Sequence, residues 1–118
     1  MMKKTVFVVD DSPGIINQLV KLINSSLLNV TGTADTVLSA KKWLAENRAD
    51  YVILDIGLPD GSGLDILAWL NENKTSGLKI VFTNYYSESI HTKSMALGAH
   101  HVLDKTADID LLISILES

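Results

Sequence analysis

Tyr51-Val52-Ile53-Leu54-Asp55 is the stretch on which the fold turns. Its apolar residues follow one another without polar alternation, which describes a strand covered on both faces rather than one lying against water. The carboxylate comes directly after them, at the edge of a buried strand, where an unpaired charge is expensive. Asp55 therefore needs partners. Outward from this run, similar stretches occur at Val6 to Val9, Ile80 to Phe82, and Val102 to Leu103, with a weaker one at Leu27 to Val30.

Segments of helical spacing separate these runs. Ile15, Leu19, Leu22 and Ile23 share one face, as do Val37, Ala40 and Leu44. Leu64, Leu67 and Leu70 follow, then Ile90 and Leu97, and finally Ile109, Leu112, Ile113 and Leu116. Ser12-Pro13 and Asp60-Gly61-Ser62-Gly63 mark boundaries, and Gly98 stands where a left-handed cap ends a helix. Five strands alternating with five helices predict an α/β doubly wound, three-layer sandwich with a parallel sheet and right-handed crossovers.

The chain has 118 residues, the size of one domain, and 47% of them are hydrophobic against 20% charged, so it can bury a core without staples. The net charge is -4 and no Lys or Arg cluster is present, which argues against direct nucleic-acid binding. No cysteine is available for disulfides or thiolate metal sites, in keeping with a reducing compartment. The apolar start from Thr5 to Val9 meets Asp10-Asp11 too soon for a signal peptide, and no run approaches the ~20 apolar residues of a membrane span. A soluble, cytoplasmic protein is expected.

In an open parallel sheet, ligands bind beyond the carboxyl ends of the strands. Those ends carry Asp10-Asp11, Asp55, Thr83 and Asp104-Lys105. Taken singly, Asp10 or Asp11 would be a helix N-cap, Thr83 strand filler and Lys105 ordinary surface. Together they place carboxylates, a hydroxyl and an amine on one rim. Carboxylates crowded there raise one another's pKa unless a cation intervenes. A hard divalent ion such as Mg²⁺ resolves the conflict and shares its site readily with phosphate. An ionised Asp is also a competent nucleophile towards an activated phosphoryl group, with a lysine and the metal neutralising the equatorial oxygens.

The ordered set resembles the receiver domain of two-component response regulators over the whole chain, residues 1–118. Its motifs are Asp10-Asp11, Asp55 followed by Pro59 and Asp60-Gly61, Thr83, and Gly98-Ala99 ahead of Lys105. The resemblance implies a flavodoxin-like sheet of order 2-1-3-4-5. It also implies that Asp55 is the phosphoacceptor, fed by a sensor histidine kinase or a histidine phosphotransfer protein. Asp11 would bind Mg²⁺ directly and Asp10 largely through water, with Asp55 and the Gly57 carbonyl completing the set. Lys105 would pair with a phosphoryl oxygen, and Thr83 would swing towards it. Output would pass through the surface of the fourth helix, fifth strand and fifth helix to an effector protein or to a second copy. Both a stand-alone receiver and a piece of a longer regulator are consistent with the sequence.

Several positions depart from the usual pattern. Val102 stands where receivers carry Phe or Tyr, which removes the ring of the Thr–aromatic pair, with Tyr85 and Tyr86 as nearby rings. Asn84 replaces a small residue and is expected to narrow access to Asp55. Thr106 replaces a proline after Lys105, so a trans bond is expected there. Gly57 and Tyr85 hold the positions that tune phosphoryl lifetime in this family.

The competing chemistry is a phosphatase of the haloacid dehalogenase type, which needs a second acid two residues after its nucleophile. Gly57 and Ser12 occupy those places, and the reading fails there. Asp10-Asp11-Ser12-Pro13-Gly14 is not a phosphate-cradling glycine loop, so nucleotide binding fails as well. A degenerate receiver that serves only as a binding surface is the remaining alternative. His100-His101 on a strand would face opposite ways, one exposed and one partly packed, and Trp43 and Trp69 are expected to pack.

Overall fold

The structure is a computed structural model that describes residues 3–24 and 27–118; Met1 and Met2 lie outside it. The elements are β1 (Lys4–Val9), α1 (Pro13–Ile23), β2 (Leu28–Ala34), α2 (Val37–Glu46), β3 (Tyr51–Leu54), β4 (Gly57–Leu58), β5 (Gly61–Ser62), α3 (Gly63–Glu72), β6 (Leu78–Thr83), α4 (Glu88–Ala96), β7 (His101–Asp104) and α5 (Ile109–Glu117). The main sheet runs β2-β1-β3-β6-β7 with every neighbouring pair parallel. Counting its five strands alone, this is the expected order 2-1-3-4-5.

Alternation along the strands sorts the core into two layers, because successive side chains point to opposite faces. Phe7, Val9, Val52, Leu54 and Val81 face α2 and α3, where they meet Ala40, Leu44, Ile66, Leu67 and Leu70. Val6, Val8, Ile53, Ile80 and Phe82 face α1 and α5, where they meet Leu19, Ile23, Leu112 and Leu116. Both tryptophans belong to the first layer, and Trp43 stacks on Phe7 with ring centroids 4.1 Å apart.

Three details differ from the sequence reading. β2 continues past Val30 to Ala34, and its exposure alternates, with Asn29, Thr31 and Thr33 exposed. It is an edge strand paired only to β1, so it lacks the continuous apolar run of its neighbours. Leu22 is exposed rather than packed with Leu19 and Ile23; it lies about 60° round the helix from Leu19, off the buried line. The third difference is the small antiparallel pair β4–β5, which no apolar run announces.

Helix boundaries follow local chemistry. Ser12 caps α1 through its hydroxyl, with Pro13 in the first turn, so neither Asp10 nor Asp11 is spent as a cap. Gly98 has φ +100° just after α4, the left-handed conformation expected there. No described helix is long and apolar enough to cross a membrane.

Candidate functional site

Backbone pairing fixes the rim before any side chain acts. The Asp10 N–H donates to the Ala34 carbonyl at 3.0 Å, the Asp55 N–H to Val9 at 2.9 Å, and the Lys105 N–H to Thr83 at 3.0 Å. Each strand end is thereby tied to its neighbour. Asp10 and Asp55 are buried and Asp11 is exposed, and one carboxylate oxygen from each lies within 4.8 Å of the others. The Lys105 ammonium bridges two of them, pairing with Asp10 and, at 2.7 Å, with Asp55 Oδ2.

The remaining oxygens are also occupied. Asp55 Oδ1 accepts from the Ile56 N–H at 2.7 Å, and Asp10 Oδ1 accepts from the Ser12 N–H at 2.9 Å. Burial by itself disfavours the Lys105 ammonium, but its hydrogen bonds to Asp10 and Asp55 outweigh this and raise its pKa above the usual lysine value. Three carboxylates against one ammonium leave a formal charge of -2. One divalent cation balances that charge, and an all-oxygen donor set suits a hard ion, so the residues fit Mg²⁺.

A cavity of about 440 Å³ opens over the cluster, lined by Asp10, Asp11, Asp55, Gly57, Asn84 and Lys105 together with Pro59 and Tyr85. Gly57 leaves room for the Tyr85 ring, since a Cβ there would stand 2.7 Å from a ring carbon. Thr83 is the expected site residue that does not line the cavity. It is fully buried, and its Oγ1 accepts from the Tyr85 N–H at 3.1 Å, which leaves its own proton free to donate elsewhere. Val102 is buried in β7, whereas Tyr85 and Tyr86 are exposed.

The loop after β7 is self-braced. Asp104 accepts from the N–H and hydroxyl of Thr106, which lowers its pKa, and donates its own N–H to Asp108. The Lys105–Thr106 bond is trans. His100 is exposed and His101 half-buried, and His100 Nδ1 accepts from the Lys79 N–H at 3.0 Å.

Residues 6–117 match the family described as the response regulator receiver domain. The chain belongs to that family. This receiver is a phosphoacceptor signalling domain of the two-component type, and it carries the acidic cluster at which receivers bind Mg²⁺. It is 35% identical over 117 residues to the transcriptional regulatory protein KdpE of Mycobacterium tuberculosis, covering 96% of this chain and 49% of that one. Its fold overlays the receiver domain of a LuxO-type repressor protein from Vibrio parahaemolyticus with TM-score 0.90 at 24% identity, covering 98% of this chain and 88% of that one. A Burkholderia pseudomallei response regulator with a phosphorylated aspartic acid, a calcium ion and citrate overlays with TM-score 0.86 at 23% identity, covering 97% and 66%. The receiver spans between a quarter and rather more than half of the first curated relatives' lengths.

Sequence reasoning quoted Asp60 and Gly63 as boundary residues, and Asp60 as part of a motif, but gave neither a role at this site. Gly63 packs so tightly on the strand end that a Cβ would stand 2.0 Å from the Asp55 carbonyl oxygen. Asp60 reaches across to α2, its Oδ1 accepting from the Val37 N–H at 2.7 Å and its Oδ2 from the Leu38 N–H at 3.0 Å. A signal for Gly63 was present, because Ser62 and Asp65 stand at capping-box spacing and place the start of α3 against Asp55. For the contact of Asp60 with α2 there was none; its partners are 22 and 23 residues away.

Proposed function

We propose that Asp55 accepts a phosphoryl group from a phosphohistidine, carried by a sensor histidine kinase or a histidine phosphotransfer protein. The phosphorus–nitrogen bond of the donor breaks, a phosphorus–oxygen bond to the Asp55 carboxylate forms, and the imidazole leaves to take up a proton. The observation that carries this reading is the buried Asp10–Lys105–Asp55 arrangement at the floor of an open cavity. Asp10, Asp11, Asp55 and the Gly57 carbonyl would hold Mg²⁺. When bound, that ion supplies positive charge to oxygens that otherwise repel one another. Lys105 neutralises a phosphoryl oxygen as charge develops on it.

Thr83 provides the readout. Its free hydroxyl proton is drawn to the new anion, and its bond to the Tyr85 N–H passes that movement to the segment leading into α4. Phosphorylation shifts an existing equilibrium between two forms of this loop and of the surface made by α4, β7 and α5. The recipient is an effector protein or a second copy of the chain, in the cytoplasm, with no direct nucleic-acid contact from residues 1–118. Turnover is confined to self-catalysed phosphoryl transfer and autodephosphorylation.

Acetyl phosphate with Mg²⁺, followed by intact-mass measurement, tests the proposal. A gain of one phosphoryl group that is absent in Asp55→Asn is the expected result. No gain in the wild type would instead favour a degenerate receiver that acts as a binding surface.

A further inference from the structure

The segment joining Asp55 to α3 is an antiparallel hairpin, Gly57 pairing with Ser62 and Leu58 with Gly61, and Pro59-Asp60 form its tip. One arm contains Gly57 at the cavity wall, and the other feeds α3 through the Ser62–Asp65 capping box. Two-residue strands have little pairing of their own to hold them in place. The tip, however, is fastened. Both carboxylate oxygens of Asp60 accept backbone N–H groups of the first turn of α2, at 2.7 and 3.0 Å.

This bond is not needed to start α2. Thr36 already caps that helix, its hydroxyl accepting from the Ser39 N–H while Ser39 reaches back to the Thr36 N–H. Asp60 adds a charged acceptor to N–H groups at the positive end of the helix, and those bonds lower its pKa. The partners on the two sides belong to elements separated by the whole of β3. Close packing supports the same fastening, since a Cβ on Gly61 would stand 3.2 Å from a Val37 methyl.

We infer that Asp60 is a positioning residue: by latching the hairpin tip to α2, it holds Gly57 against the Asp10–Asp11–Asp55 cluster and so sets the affinity of the site for Mg²⁺. The inference rests on the reading of that cluster as a metal site. It makes α2 part of the metal site's support, although α2 supplies no ligand.

The test is Mg²⁺ titration by calorimetry on the wild type, Asp60→Ala, Asp60→Asn and Thr36→Ala, with unfolding temperature recorded for each. Asp60→Ala is expected to weaken Mg²⁺ binding on the order of tenfold, the scale at which outer partners act on metal affinity. Asp60→Asn retains one acceptor and should fall between it and the wild type. Thr36→Ala removes a cap of the same helix without touching the hairpin, so it should lower the unfolding temperature and leave Mg²⁺ affinity unchanged. Labelling by acetyl phosphate should then need more Mg²⁺ in Asp60→Ala but reach the wild-type rate at saturation. Equal affinity in Asp60→Ala and wild type would overturn the inference, as would an equal loss in Thr36→Ala. Absence of Mg²⁺ binding in the wild type would overturn the metal-site reading and this inference with it.

Discussion

At the scale of single residues, the decisive arrangement is one ammonium between two buried carboxylates. Lys105, Asp10 and Asp55 each expose less than a tenth of their side chains. An ion removed from such a group leaves the others uncompensated, which costs far more than a surface pair. Lys105→Met is therefore expected to destabilise the metal-free protein by about 3 kcal/mol, and Mg²⁺ should restore part of that loss. Urea unfolding with and without Mg²⁺ measures both. The sign of the pH effect follows from the raised pKa of Lys105. Its stabilisation is fully present below the unfolded value of 10.5 and disappears only as pH climbs through the higher folded value. Between neutrality and mildly alkaline pH, Lys105 contributes no slope.

At the scale of elements, the junction between β3 and α3 decides where the Asp55 carboxylate points. Asp55 follows the last residue of β3, and Gly63 begins α3 directly over its carbonyl. The Gly63 N–H donates to the Ile56 carbonyl at 2.9 Å, and the Ile56 N–H holds Asp55 Oδ1. A short chain of bonds thus runs from the helix start to the Asp55 carboxylate. Gly63→Ala places a methyl where backbone already stands, and rigid backbone cannot yield as a side-chain tip would. The expected cost is about 2 kcal/mol. Labelling of Asp55 by acetyl phosphate should fall further than the lost stability explains, even where urea titration shows the protein fully folded.

At the scale of the molecule, one sheet separates two apolar layers that share its strands. Ile66 is fully buried on the α2–α3 side and Leu112 on the α1–α5 side. Truncation of either to Ala should cost about 3 kcal/mol. The layers have no independent scaffold, so they should unfold together. Trp43 and Trp69 both lie on the α2–α3 side. Tryptophan fluorescence of Leu112→Ala should therefore report the same lowered midpoint as far-ultraviolet circular dichroism, although the lesion is on the far face. Separate midpoints would show that the layers unfold independently.

The sequence alone determined the strand–helix alternation, the parallel sheet and the gathering of acids and an amine at strand ends, whereas the strand order came from the resemblance to receivers. Those features arise locally: apolar runs form buried strands, helical spacing forms covering layers, and parallel topology brings strand ends to a common rim. It marked Leu22 as core and placed the end of the second strand too early, because neither the width of a helix contact nor the partner count of an edge strand is written in a local pattern. Only the tertiary structure decided that Lys105 joins Asp10 and Asp55, that Thr83 turns its oxygen to the Tyr85 N–H, and that Asp60 fastens the hairpin to α2. Such contacts unite residues far apart in the chain, and their geometry is fixed by packing of the whole sheet rather than by the identity of either partner.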